Sequence, residues 1–318
     1  MSETTAANGF AQVLSPSYYY YFAFTLGMAV LTLPVAIATY IRLINISKYR
    51  KNYFCRIIVI NGVFDIISYI AYLLTLRLIN IKSCYAFFIS IRVGFWPNLI
   101  SCITFFSAGM QLYCSTLLSF NRLLAIHHPD HYRKIKIEHE MGLFALAAAL
   151  SFMSSAKSVV YGAEYVPDPT TETFIFSTFV ENASPIYEYL QVLNVIIPTV
   201  LNVTFNIWIG LLLILNRKEN QHITDAERGL YVTTTVIFLL QLLYAVSAFF
   251  VLIFQEGMVH FYMGLVMPAA SELLCILPVW LFLFFSPTIR RDLFPFLRMA
   301  SPYITPVDTY ENTPQNPT

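Results

Sequence analysis

Charges are sparse along this chain, and the intervals between them predict its architecture. A helix that crosses the hydrocarbon core of a bilayer needs about 20 mostly apolar residues. Between Glu3 and Arg42 lie 38 uncharged residues, of which 18–41 are apolar enough to span, with Pro34 as a kink site. Arg56 and Arg77 enclose 20 residues interrupted only by Asp65, and Arg92 and Arg122 enclose 29, enough for a long, tilted third helix. Residues 141–162 read as a fourth helix of small residues with Lys157 near one end. Intervals of 28 residues between Glu188 and Arg217 and 27 between Arg228 and Glu256 predict spans five and six. Residues 262–285, carrying Glu272, predict the seventh. Residues 84–91 are apolar but too short to cross. Rimmed by Tyr85, Phe95 and Trp96, they read as an interfacial lead-in to span three.

Composition agrees. The chain is 57% hydrophobic and 12% charged, against roughly 45–50% and 25% for globular proteins, which leaves too few charges to cover a water-facing surface. A net charge of +1 excludes a strongly basic nucleic-acid binder and an acidic tail protein. Five cysteines without short repeated spacing exclude a zinc module or a dense disulfide scaffold. The predicted fold is an all-α membrane protein, a seven-transmembrane helix bundle, built as a tail (1–17), a transmembrane domain (18–298) and a disordered tail (299–318).

The basic residues set the orientation. With the N-terminus outside, 15 of the 19 Lys and Arg fall in inner loops or the inner tail, as cytoplasmic loops require. Arg77, Lys82 and Arg92 fall outside. Asn182-Ala183-Ser184 is a glycosylation acceptor in the outer loop 161–187, which has no Lys or Arg. The N-terminal tail has no cleavable signal pattern, so span one would serve as signal anchor. Residues 289–294 read as a short amphipathic helix on the inner membrane surface after span seven. No internal repeat relates the two halves, which removes the inverted-repeat signature of many transporters.

Three groups of residues carry candidate chemistry. At 100° per residue, Thr104, Gln111, Ser115 and Arg122 form one stripe on span three, within about 20° of its mean, a face unsuited to lipid. Arg122 at the helix end either snorkels to the headgroups or acts as a switch. Asp65 and Glu272 lie at nearly matching depths in spans two and seven. They could share a polar pocket with Asn61 and Ser68 that holds a sodium ion or a proton, or form a structural pair with one carboxyl protonated. Span five carries Gln191, Asn194, Asn202 and Asn206. The deeper Asn202 and Asn206 suit interhelical hydrogen bonding. Gln191 and Asn194, with Asn98, Cys102 and Phe105 on span three and Tyr244 and Ser247 on span six, are the ligand-contact candidates. They would line an aromatic pocket with few charges, suited to a small, mostly apolar ligand. No catalytic nucleophile motif, metal-spaced histidine cluster or cofactor motif is present, so no enzyme activity and no metal is expected.

The segment Ser119-Phe120-Asn121-Arg122-Leu123-Leu124-Ala125-Ile126-His127-His128-Pro129 resembles the Asp-Arg-Tyr region of G-protein-coupled receptors, with Asn in place of Asp. Ala226-Glu227-Arg228-Gly229-Leu230, followed by Thr233, Thr235, Phe238 and Gln241, is similar to the start of helix six in nematode serpentine chemoreceptors, class gamma. The resemblance covers residues 18–298. It implies a chemosensory receptor glycoprotein of the plasma membrane in which Asn121, Arg122, Glu227 and Arg228 form the signalling switch toward a heterotrimeric G protein, Arg122 holding helix six through Glu227. It also implies a sodium site at Asp65. Many receptors clamp the top of helix three to the second outer loop with a disulfide. Here that loop has no cysteine, Pro97 stands near the helix-three position, and no bridge is assigned. The rival classes are a transporter or ion channel lined by Asp65, Glu272 and Lys157, and an inverted seven-helix channel, which would put 15 positive charges outside.

Overall fold

The computed structural model describes residues 16–50, 52–128, 132, 137–168, 173–178, 185–217, 225–253, 258–285, 290 and 292. Helix α1 (Pro16–Asn45) is followed by the short α2 (Ser47–Arg50) and by α3 (Tyr53–Tyr72). α4 (Tyr85–Ser90) forms the lead-in to α5 (Phe95–His127), and α6 (Ile137–Tyr161), α7 (Pro185–Arg217), α8 (Asp225–Ile253) and α9 (Met258–Phe285) complete the bundle. Seven of these helices, α1, α3 with its extension, and α5 to α9, are long and apolar enough to cross a membrane. The two ends of the bundle are named inner and outer as the charge distribution orients them.

The side chains are arranged for a lipid solvent. Large apolar residues point outward, among them Val30, Leu31, Leu146, Phe152, Ile207, Leu239 and Phe284. Small polar ones turn inward: Ser151, Ser154, Ser155 and Ser158 of α6 are buried, and the Ser158 and Ser101 hydroxyls lie 2.6 Å apart. In hydrocarbon an apolar face gains nothing by hiding, so close packing and hydrogen bonds join the helices. α5 is the central helix, in contact with α3, α6, α7 and α8, while α9 packs on α8, α3 and α1. The inner half holds the main apolar core, built from Tyr40, Leu43, Phe54, Ile57, Met110, Tyr113, Leu118, Val279 and Phe282. Gly62 admits the Tyr40 ring across its α-carbon, where a Cβ would overlap that ring.

Two local features differ from the sequence expectation. The second span does not end at a helix terminus: after Tyr72 it widens into a π turn (Leu73–Arg77) and tightens into a 3-10 turn (Leu78–Asn80). The second outer loop also contains a β-hairpin, β1 (Ala163–Asp168) antiparallel to β2 (Thr173–Thr178), so the fold is nearly rather than wholly helical. The hairpin sits on the α4 segment. Phe88, Tyr165 and Phe176 stack in sequence at centroid distances of 4.8 and 5.0 Å, and Tyr165 N–H donates to the Arg92 carbonyl at 3.0 Å. All five cysteines are unbridged, so this aromatic cluster holds the outer cap without a disulfide. The predicted inner-surface helix at 289–294 and both chain tails lie outside the described residues, apart from Arg290, Asp292 and the first residues of α1.

Candidate functional site

The bundle interior carries polar side chains from its outer third to its inner end. Outermost is Arg77. The π turn rotates the last turn of the second span so that this side chain enters the bundle, where Nε lies 2.7 Å and Nη2 2.6 Å from the same Glu272 oxygen, Oε1. Both side chains are only 5% exposed. π turns inserted in helices recur at functional sites. Around the pair stand Tyr69, and Tyr72 with the Ser271 hydroxyl and Tyr244 beside it. Charge counting places Arg77 in an outer loop and matches Glu272 with Asp65. The folded chain pairs Glu272 with Arg77 instead, because an arginine side chain reaches several ångströms from its own helix end.

Asp65 takes partners of its own. Asn61 Nδ2 donates to Oδ2 at 2.9 Å and Gln111 Nε2 to Oδ1 at 2.7 Å, and the same Gln111 amide lies 3.2 Å from Cys275 Sγ. Asn61 Oδ1 and the Ser68 hydroxyl are buried without a protein hydrogen bond. Below this level α5, α7 and α8 are braced. Asn202 Nδ2 donates to Gln241 Oε1 at 2.5 Å and to Ser115 Oγ at 3.3 Å, and Asn206 Nδ2 donates to Ser119 Oγ at 3.0 Å.

At the inner end Asn121 is fully buried, and the Arg122 guanidinium carbon stands 3.8 Å from the centre of the Phe54 ring. Tyr132, from the second inner loop, lies beside both residues. Burial holds its phenol above the usual tyrosine range, while Arg122 and the Asn121 amide act in the opposite sense. Arg56 Nη2 lies 2.5 Å from both Glu140 oxygens, tying α3 to α6, and the Tyr49 hydroxyl donates to Asp292 at 2.6 Å. Glu227 and Arg228 fall in the first turn of α8. Their side chains, and with them the expected Arg122–Glu227 contact, lie outside the described residues.

Three of the outer ligand-contact candidates are engaged in hydrogen bonds. Asn98 Oδ1 accepts the Ala163 N–H at 2.5 Å and so pins the hairpin to α5. Asn194 Nδ2 donates to Ser154 Oγ at 2.9 Å between α7 and α6, and the Ser247 hydroxyl donates to the Leu243 carbonyl of its own helix. Cys102, Phe105, Gln191 and Tyr244 are half-buried, and of these Tyr244 stands beside Tyr72. Asn182 and the side chain of Lys157 lie outside the described residues. Sequence reasoning misses Arg77, Tyr72 and Phe54. An arginine at the limit of an uncharged interval reads as a boundary, and the two aromatics carry no pattern that separates them from core.

A family model described as "Serpentine type 7TM GPCR chemoreceptor Srv" matches residues 25–299, from within α1 to beyond α9. No curated protein matches the chain.

Proposed function

Because this chain belongs to the Srv family of serpentine seven-transmembrane chemoreceptors, we propose that it binds a small molecule in its outer half and activates a heterotrimeric G protein at its inner face. The observation that carries the reading is one face of α9. Glu272, Cys275 and Phe282 lie within about 80° of one another at 100° per residue. They meet Arg77 in the outer third, Gln111 of the Asp65 network in the middle, and Phe54 beneath Arg122 at the inner end. A small rotation of α9 would therefore disturb all three levels together, which is how a packed helix with two discrete settings transmits a signal.

The ligand is small and mostly apolar, with a polar end read by the Arg77–Glu272 cluster. An ionisable pair held inside a membrane span is costly and marks a functional site by default. The Asp65 carboxylate, with the buried Asn61 Oδ1 and Ser68 Oγ beside it on α3, offers the all-oxygen donor set that a sodium ion takes. Glu272, committed to Arg77, is not part of that set. Placement in the plasma membrane follows the receptor reading. The finer assignment to class gamma rests on Ala226–Leu230 and the residues that follow it.

Expression with a promiscuous G-protein α subunit, screened against small volatile and pheromone-like molecules, tests the proposal. The expected result is ligand-dependent nucleotide exchange that Arg122→Ala abolishes. Ligand-driven uptake of a solute or ion without nucleotide exchange would refute it.

A further inference from the structure

Arg122 is turned toward the second span. Its guanidinium carbon lies over the ring of Phe54, the second residue of α3, at 3.8 Å from the ring centre. A cation at that distance from an aromatic face is attracted by the ring's quadrupole, more strongly where water is excluded. Phe54 is 4% exposed.

Two further contacts hold the ring in place. Asn52 caps α3 by accepting the Phe54 N–H at 2.9 Å, which fixes the backbone at this residue. From α9, the Phe282 ring packs on Phe54 at a centroid distance of 6.4 Å. Beyond the ring is a small void bordered by Leu118, Thr233, Ile237 and Phe282, with room for about one water molecule. The aromatic pair thus lies between the helix that carries Arg122 and the helix that carries Glu272.

We infer that Phe54 is the positioning residue of the signalling switch: its ring face holds the Arg122 guanidinium against α3 in the resting receptor, and movement of Phe282 on α9 withdraws the ring and frees Arg122 for the G-protein groove. The inference rests on the receptor reading and adds a residue and a force to it. Asn121 stands where many receptors carry a carboxylate beside the arginine, and the Phe54 ring face is a restraint on Arg122 that comes from α3. The cation–π contact suits a switch because it is directional enough to hold the planar guanidinium and weak enough to break when the ring shifts.

The force can be tested separately from the bulk of the side chain. Fluorination of a phenylalanine ring drains charge from its face at nearly constant size, so a series of mono-, di- and trifluorophenylalanine at position 54 weakens the cation–π contact in steps. The first measurement is the ¹⁹F resonance of 4-fluorophenylalanine at position 54 in purified receptor, compared with the same label in Arg122→Ala. A shift between the two is expected, and coincident resonances would overturn the contact. The second is agonist-independent GTPγS binding in membranes with a co-expressed promiscuous Gα, normalised to surface receptor. Basal exchange should rise stepwise along the fluorinated series, reaching about fivefold, the change that losing a contact of roughly 1 kcal/mol sets between two states. Phe54→Trp, with a stronger cation-binding face, should not exceed wild type.

Unchanged exchange across the series, while Phe54→Leu raises it, would mean that the ring acts by volume alone and would overturn the inference while leaving the receptor reading intact. Exchange no higher than in mock membranes for every variant, with the ¹⁹F shift present, would instead remove the G-protein reading and the switch role with it.

Discussion

Arg77 and Glu272 meet through a single carboxylate oxygen: two guanidinium nitrogens from the end of the second span converge on Oε1 in the seventh at 2.6 and 2.7 Å. The π turn at 73–77 makes this meeting possible, since it reorients the side chain that ends the span. Removing one partner of a buried pair leaves the other charge uncompensated, at a cost of about 3–5 kcal/mol, whereas replacing both by apolar residues of similar size is often neutral. Arg77→Met and Glu272→Met should each lower the thermal stability of purified receptor strongly, and the double substitution should recover most of the loss. Additive losses in the double variant would show that the two side chains do not depend on each other.

Asp65→Asn should reach the cell surface normally and change agonist affinity or basal activity. The neutral amide can still accept from Gln111, so the stability change should stay within about 1 kcal/mol. The diagnostic comparison is thermal stability in sodium against choline. Wild type should be stabilised by sodium and Asp65→Asn should not. Equal sodium dependence in both would rule out Asp65 as the cation ligand.

Two glycines should respond oppositely to a methyl group. A Cβ at Gly62 would overlap the Tyr40 ring, whereas at Gly27 it would meet nothing within 4 Å. Gly62→Ala should therefore destabilise by about 1–3 kcal/mol through overpacking. Gly27→Ala should stabilise by about 0.5–1 kcal/mol through reduced backbone entropy. Melting of the two variants in the same detergent checks the contrast.

Arg122→Ala should abolish G-protein activation while ligand binding survives within about tenfold, or roughly 1.4 kcal/mol. The guanidinium lies at the inner face, far from the outer cluster, so binding and signalling should separate. Intact activation at normal surface levels would show that Arg122 is not the switch.

Orientation is checked by glycosylation. Asn182 should carry glycan, although Pro185 close behind lowers its occupancy, and the C-terminal tail should be accessible from the cytoplasm. Asn202-Val203-Thr204 matches the same acceptor pattern, yet Asn202 is fully buried in α7 and should remain bare. A protease-protection assay that placed the tail in the lumen would reverse the orientation.

The intervals between charges find the seven spans, because hydrocarbon penalises charge along a helix and leaves only Asp65, Lys157 and Glu272 as exceptions within them. The same one-dimensional pattern marks Asp65, Glu272 and the Asn202–Asn206 pair as interior, since a polar residue in mid-span is costly unless it faces another helix. Which interior residues meet is a different question. Arg77 reaches Glu272 because a π turn redirects it, Asp65 turns instead to Gln111, and Asn98 and Asn194 are spent on the hairpin and on Ser154. These pairings depend on the rotation of each helix about its axis and on side-chain reach, neither of which a hydropathy interval records. The hairpin escapes for a related reason: its strands are short, and the aromatic partners Phe88 and Tyr165 that hold it come from segments that only the folded bundle brings together.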